Sequence, residues 1–402
     1  MDWKDYFKNP SNVKLLVIFI VITLLFITPM LFRALPFIGL DSYAYANYIC
    51  GITEQVPSNT PIIGQFIMDI LPCNIYVIYI ILFIICLMTS WIFSKIGKKY
   101  NKEYGWLAGI LIYLGLTSFS IFLKLETEVF ALPFIALAWY FLDKSNIKST
   151  FDFKDTNIYL ALLFYIIAGL IWKGSIFFIF LFLFLSRFHI FFIGILGYAI
   201  LNFKTFLGGL VPFFIGGFNS GMIASENLIL IGIFNLIVFL AIFKKEHRIP
   251  KYETPFWIYF VISLLNVKLS FILLFISSIN LPFRLKKHSK FIKKYTLFIG
   301  LVIFSSICIS NITLLPSEDI SETISVYQSI DSNGFDKQVN WDFGYVYTWI
   351  TKKPTEHYGS LNRAVKNYKN HITLTNIHDT NIPDTGCTTL HEKGITKIIK
   401  CE

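Results

Sequence analysis

Long apolar runs recur through the first 315 residues, and no other feature restricts the fold as much. They fall at 13–36, 74–97, 105–123, 129–142, 158–172, 175–186, 190–203, 227–243, 256–266, 269–283 and 295–315. A helix needs ~20 apolar residues to cross a bilayer. Several of these runs are shorter, so they must be tilted, broken, or flanked by side chains that snorkel to the interface. With 55% hydrophobic residues, 42 Phe and only 15% charged residues, a chain of 402 residues is too apolar for a water-soluble protein. The expected fold class is an α-helical polytopic membrane protein with about eleven transmembrane segments. No small-residue cleavage site follows the first run, so it reads as a retained helix rather than a signal peptide.

The basic residues fix an orientation. With the N-terminus inside and strict alternation, Lys98-Lys99, Lys102, the 143–155 loop, Lys244-Lys245 with Arg248, and the 284–294 loop all fall on the cytoplasmic side. A formal net charge of +10 could suggest nucleic acid, but these residues lie in short clusters between apolar runs. Membrane topology accounts for the charge without a nucleic-acid partner.

The one boundary is near Pro316. It divides a transmembrane domain, 1–315, from a small extracytoplasmic α/β domain, 316–402. In the tail, Ser332-Asn333-Gly334-Phe335 and Pro383-Asp384-Thr385-Gly386 read as turns. His371 to Thr375 and Thr396 to Lys400 read as short strands. Cys50 and Cys73 bracket the first outer loop, and Cys387 and Cys401 lie in the tail. Disulfides Cys50–Cys73 and Cys387–Cys401 fit an oxidising exterior, although spacing alone leaves the pairing open. Cys86 and Cys308 sit in apolar runs as packing residues. There is no repeat of fixed period, and His371, His378 and His391 lack metal-ligand spacing.

The same alternation gathers ionisable residues on the outer face. These are Asp41, Glu126, Glu128, Lys173 in Trp172-Lys173-Gly174, Glu226, and Lys268 between two half-length runs. Charges at membrane depth are costly and mark a cavity by default. Glu126-Thr127-Glu128 can aim both carboxylates into one cavity if the backbone is extended. With Asp41 and Glu226 they make an all-oxygen set, which suits Mg²⁺ or Mn²⁺ rather than Zn²⁺. Each has a plain alternative: solvated loop acids at 126 and 128, helix caps at 41 and 226, and a snorkelling ammonium at 268.

Asn340-Trp341-Asp342-Phe343-Gly344 lies just past the last apolar run. A ring that packs, a carboxylate that accepts hydrogen bonds and a glycine that lets backbone approach suit a pocket wall; an ordinary turn is the alternative.

In order and spacing, these features resemble the catalytic subunit of oligosaccharyltransferases, membrane glycosyltransferases of the GT-C fold. That family carries an Asp after its first membrane helix, an acidic pair in its second outer loop, an S/T-x-x-E loop, an intramembrane Arg and a W-W-D-Y-G motif. Here those places are held by Asp41, Glu126-Thr127-Glu128, Glu226 in Ile223-Ala224-Ser225-Glu226, Lys268, and Asn340 to Gly344. Ala168 to Gly174 resembles the family's Trp-x-Gly segment. Asn340 replaces a Trp, Phe343 a Tyr, Glu126 an Asp, Lys268 an Arg and Ile223 a Ser or Thr. The family's large helical C-terminal domain, with its further acceptor-reading motif, has no counterpart before Glu402. A short archaeal or bacterial member fits the Ile-, Phe- and Lys-rich make-up.

The resemblance implies a polyprenyl-(pyro)phosphate sugar donor, a protein or peptide acceptor, and Mn²⁺ or Mg²⁺ held by Asp41, Glu126, Glu128 and Glu226. It implies catalytic roles for Asp41, Glu226 and Lys268, with Lys268 on the donor phosphate. Acceptor contacts would fall to Asn340, Trp341, Asp342, Phe343 and Gly344. The lipid-linked donor is better supported than reading of an Asn-x-Ser/Thr acceptor. A GT-C enzyme transferring one sugar from polyprenyl phosphate is the nearest alternative. An ion-coupled transporter is the alternative of another class, and it fits less well because the charges gather at one face rather than the midplane.

Overall fold

A computed structural model describes residues 13, 16–23, 37, 41–54, 60–113, 124–145, 147, 154–201, 249–265, 270–285, 317–331, 334–339, 341–352, 368–377, 382, 386–394 and 396–402. The apolar runs at 227–243 and 295–315 lie outside them. The chain forms two compact units that do not follow chain order. One comprises 1–25, 81–122 and 127–307, the other 26–80, 123–126 and 308–402.

In chain order the helices are α1 (Asp41–Ile49), α2 (Ile62–Ile70), α3 (Ile75–Tyr100), α4 (Ala108–Leu111), α5 (Thr127–Lys144), α6 (Thr156–Ile171), α7 (Ile179–Leu185) and α8 (Ile190–Leu201). They continue as α9 (Pro250–Leu265), α10 (Ser270–Leu285), α11 (Ser317–Ser329) and α12 (Trp341–Thr351). Short 3₁₀ turns, Gly105–Leu107 and Lys173–Phe178, lead into α4 and α7. Most of the apolar runs thus become helices close to their expected bounds. The run at 105–123 differs: it opens as a 3₁₀ turn and four helical residues, because its glycines are drawn against α3.

Among the described residues, α3 alone is long and apolar enough to cross a membrane, and α6 and Lys173–Leu185 are shorter apolar stretches. The outward face of α3 is apolar, and hydroxyl residues share its buried face with Leu82, Ile92 and Phe93. Thr89, Ser90 and Ser94 point inward, while Ile80, Ile84, Met88 and Trp91 are exposed. On α6, Ala161 and Ala168 are buried and Leu163, Ile166 and Leu170 are exposed. Small and hydroxyl residues at helix contacts, with large apolar residues outside, are what a lipid solvent selects.

Inside the first unit the α3–α4 contact is exceptionally close. Ser90 Oγ donates to Gly109 O at 2.8 Å and Ser94 Oγ to Trp106 O at 2.9 Å. Tyr113 Oη donates to Cys86 O at 2.7 Å. A Cβ at Gly109 would lie 2.3 Å from Ser90 O, and one at Gly97 would lie 2.1 Å from Gly105 O. Gly109→Val is therefore expected to cost about 1–3 kcal/mol through overpacking. Gly194→Ala, where a Cβ meets nothing within 4 Å, should be neutral or stabilising by up to ~1 kcal/mol. Thermal unfolding of the two variants in detergent checks the contrast; equal midpoints would contradict it.

Close by, at the C-terminal end of α3, Asp143 closes a polar knot. Its carboxylate is 2% exposed and pairs with Lys251 and, at 3.1 Å, with Lys99. It accepts hydrogen bonds from the hydroxyls of Tyr100 and, at 2.7 Å, Tyr252. Trp139 Nε1 donates to Tyr252 Oη at 2.9 Å. The ends of α3 and α5 and the start of α9 are thereby tied to one anion, at positions the basic-loop pattern assigns to the cytoplasmic side.

The second unit carries a four-stranded sheet, β1 (Asp336–Val339), β2 (His371–Asn376), β3 (Cys387–Lys393) and β4 (Thr396–Cys401), in the order β1-β2-β4-β3. β1 runs parallel to β2, and the other pairs are antiparallel. Cys387 pairs with Cys401 in register, and the two form a disulfide. Helix α11 covers the sheet with Ile320, Thr323, Ile324 and Tyr327, all at most 1% exposed. Tyr327 Oη donates to Gln338 O at 2.7 Å, and burial pushes its phenol well above the ordinary tyrosine value. The expected turns hold positive-φ glycines, Gly334 at +87° and Gly386 at +82°.

Candidate functional site

Helix α1 begins on Asp41 and lies in the second unit. Its next residue, Ser42, is fully buried, and Ser42 Oγ accepts a hydrogen bond from Leu125 N at 3.1 Å. That bond joins segments 83 residues apart and brings the 124–126 segment, with Glu126, to the start of α1. Glu126 is 8% exposed, with Lys124 Nζ 3.7 Å from its Oε1. Two of the expected carboxylate positions thus come from neighbouring segments of one unit.

Further along α1, Asn47 is fully buried, and its Nδ2 donates to Tyr345 O at 2.9 Å across 298 residues. Tyr345 is on α12, whose first two residues are Trp341 and Asp342. Between these ties, Tyr43 Oη accepts from Phe37 N at 3.1 Å, and the Phe37 and Tyr43 rings both pack edge-on against Trp349 of α12. The disulfide Cys50–Cys73 closes the loop after α1. One helix of nine residues therefore links three motif segments that lie far apart in sequence.

The 341–344 stretch is a helix start rather than a turn. Asp342 is the second residue of α12. Phe343 and Val346 are fully buried and anchor one face. Gly344 is buried within the helix.

At 126–128 the backbone is not extended, because α5 starts at Thr127 and Glu128 lies in its first turn. Residues two apart at a helix start do not face the same way. Glu128 is half-buried and belongs to the first unit, whereas Glu126 belongs to the second. Glu226, Lys268 and Asn340 lie outside the described residues. Among those described, no three His, Cys, Asp or Glu side chains form a group able to hold a metal ion. Asp41 and Glu126 supply oxygen donors of the kind Mg²⁺ and Mn²⁺ accept.

In the first unit, Trp172 ends α6 and Gly174 follows inside the 3₁₀ turn. A Cβ at 174 would lie 2.2 Å from Trp172 Cζ2. The indole folds over the glycine, which is the physical reason for the Trp-x-Gly spacing.

Sequence reasoning did not single out Ser42, Asn47, Tyr43 or Trp349. Ser42 adjoins Asp41, and that adjacency was its only signal. The partner of Asn47 is a backbone carbonyl 298 residues away, which no local pattern encodes.

No family model matches the chain, and no curated protein matches it. Among solved structures, the chain is similar to the crystal structure of ArnT from Cupriavidus metallidurans bound to undecaprenyl phosphate. The match has 9% sequence identity and a TM-score of 0.40, and covers 96% of this chain and 97% of that one. A likeness at that score carries no weight in the argument that follows.

Proposed function

We propose that the protein is a multi-pass membrane glycosyltransferase of the oligosaccharyltransferase type, acting on the extracytoplasmic face with a polyprenyl-(pyro)phosphate sugar donor. The observation that carries the reading is the double tie of α1, by Ser42 to the Glu126 segment and by Asn47 to the Trp341 helix. Three stretches of the motif series, distant in sequence, meet on one element. An accidental match of short motifs has no reason to converge in this way. Both disulfides lie in this same unit, while Cys86, in α3, is a buried free thiol. That division suits an oxidising exterior.

In the mechanism, Asp41, Glu126 and Glu226 would hold Mn²⁺ or Mg²⁺, which would offset charge on the donor phosphate. Glu128, in the first turn of α5 and turned away from Glu126, is left out of the ligand set. Lys268 adds a second positive charge at the leaving phosphate. Asp41 and Glu226 orient the acceptor nitrogen or hydroxyl toward the anomeric carbon. Trp341 and Asp342 hold the acceptor chain, with Asn340, Phe343 and Gly344 shaping the adjoining wall.

Donor and acceptor identity can be read in one experiment. Purified protein is given pyrophosphate-linked oligosaccharide or monophosphate-linked sugar, with peptides that contain or lack Asn-x-Thr. Transfer of oligosaccharide to the sequon peptide is the expected result. Single-sugar transfer to another acceptor would replace this reading with the GT-C alternative. Vectorial ion or solute movement with no sugar transfer would overturn both.

A further inference from the structure

Helix α2, in the outer loop between α1 and α3, has three distinct faces. Gly64 and Met68 are buried against the protein. Gln65 and Asp69, one turn apart, are exposed and polar. The third face is apolar and open: Ile62, Phe66 and Ile70, at successive fourth positions, are 75%, 61% and 63% exposed. In water, leaving three large side chains open would forgo about 1.5–3 kcal/mol of burial for each. A stripe of this size, edged by polar residues, marks a surface with a partner.

We propose that α2 is an interfacial helix whose Ile62–Phe66–Ile70 stripe lies among the acyl chains of the outer leaflet, with Gln65 and Asp69 turned to the headgroups. Continuity selects lipid as the partner. Only residues 71–74 separate α2 from α3, and α3 resumes an exposed apolar face with Tyr76, Ile80, Ile84 and Met88. A helix with separate apolar and polar faces is built to lie in the plane of an interface.

The seat of α2 has a consequence for the site. Tyr48 Oη, on α1, donates to the Asp69 carboxylate, and that hydrogen bond raises the Tyr48 phenol above its ordinary value. Cys50–Cys73 ties the end of α1 to the linker after α2. Through these two links α2 fixes the depth of α1, and so of Asp41, near the headgroup level where a lipid-linked phosphate lies.

The inference rests on the membrane reading above, and the test separates the two. In a Cys86→Ser, Cys308→Ser background, nitroxide labels are placed singly by Ile62→Cys, Gln65→Cys, Phe66→Cys, Asp69→Cys and Ile70→Cys, with Ile84→Cys as the reference on α3. The full chain is reconstituted in phosphatidylcholine–phosphatidylglycerol nanodiscs. Collisions with oxygen, which partitions into lipid, and with a water-soluble nickel chelate are compared. Labels at 62, 66 and 70 should favour oxygen several-fold, as should 84, while 65 and 69 favour nickel. If 84 favours oxygen and all five α2 labels favour nickel, the interfacial helix is wrong and the membrane reading stands. If 84 also favours nickel, the membrane reading falls and takes the inference with it. A label at 66 shielded from both agents, in proportion to protein concentration, would assign the stripe to a second copy and overturn lipid as the partner.

Discussion

Asp143→Ala is expected to destabilise the protein by about 1–3 kcal/mol for each of the two tyrosine hydroxyls, Tyr100 and Tyr252, that it leaves without an acceptor. The carboxylate is 2% exposed and is shared by Lys251, Lys99, Tyr100 and Tyr252. Its removal strands two phenol hydroxyls at the junction of α3, α5 and α9, while Lys99 and Lys251 keep the Asp143 backbone carbonyl as an acceptor. Lys99 is 45% exposed and can turn to water, so Lys99→Gln should cost only about 0–1 kcal/mol, as surface ion pairs do. Lys251→Gln should fall between the two. Unfolding in graded denaturing detergent measures all three. Equal, small losses would mean that the knot is an ordinary surface cluster.

Glu126→Gln is expected to lower kcat on the order of 10²-fold or more if the carboxylate helps hold the charge-stabilising ion. The magnitude decides between roles. If Glu126 only pairs with Lys124, at 3.7 Å, the substitution should cost at most about 1 kcal/mol in stability and leave turnover unchanged. Manganese binding to the full-length protein, read by electron paramagnetic resonance, gives a second measure that does not depend on finding the acceptor. Weaker binding in Glu126→Gln and in Asp41→Asn is the expected outcome. Unchanged affinity in both would remove them as ligands.

What the sequence made legible follows the range of the interactions involved. The apolar runs became helices because burial patterning is local: 74–97 appears as Ile75–Tyr100, 129–142 as Thr127–Lys144 and 269–283 as Ser270–Leu285. Spacing left the cysteine pairing open, and the structure joins Cys50 to Cys73 and Cys387 to Cys401. Helix α11 was overlooked, although Ile320, Ile324 and Tyr327 recur at helical spacing behind the acidic first turn Glu318-Asp319. Strands β1 and β3 were also missed, since each is held by pairing to a neighbour rather than by its own alternation.

At the candidate site the acids of the second unit were identified as members of a set, but not the device that gathers their segments. The segments that carry Glu126 and Asp41 are distant in sequence and are joined by the hydrogen bond from Leu125 N to Ser42 Oγ, a residue with no distinguishing pattern. The stretch from Asn340 to Gly344 suits a pocket wall or a turn by its residue types, whereas Trp341 opens a helix. Helical packing of Phe343 and Val346 outweighs the roughly 1 kcal/mol that a glycine costs inside a helix.

The most direct test of the central claim is turnover of polyprenyl-linked sugar by the purified protein in native lipid extract, before and after chelation of divalent ions. The account predicts that transfer stops on chelation and returns with Mn²⁺, and that Glu126→Gln stays inactive in both conditions. Full turnover in the chelated protein would contradict it.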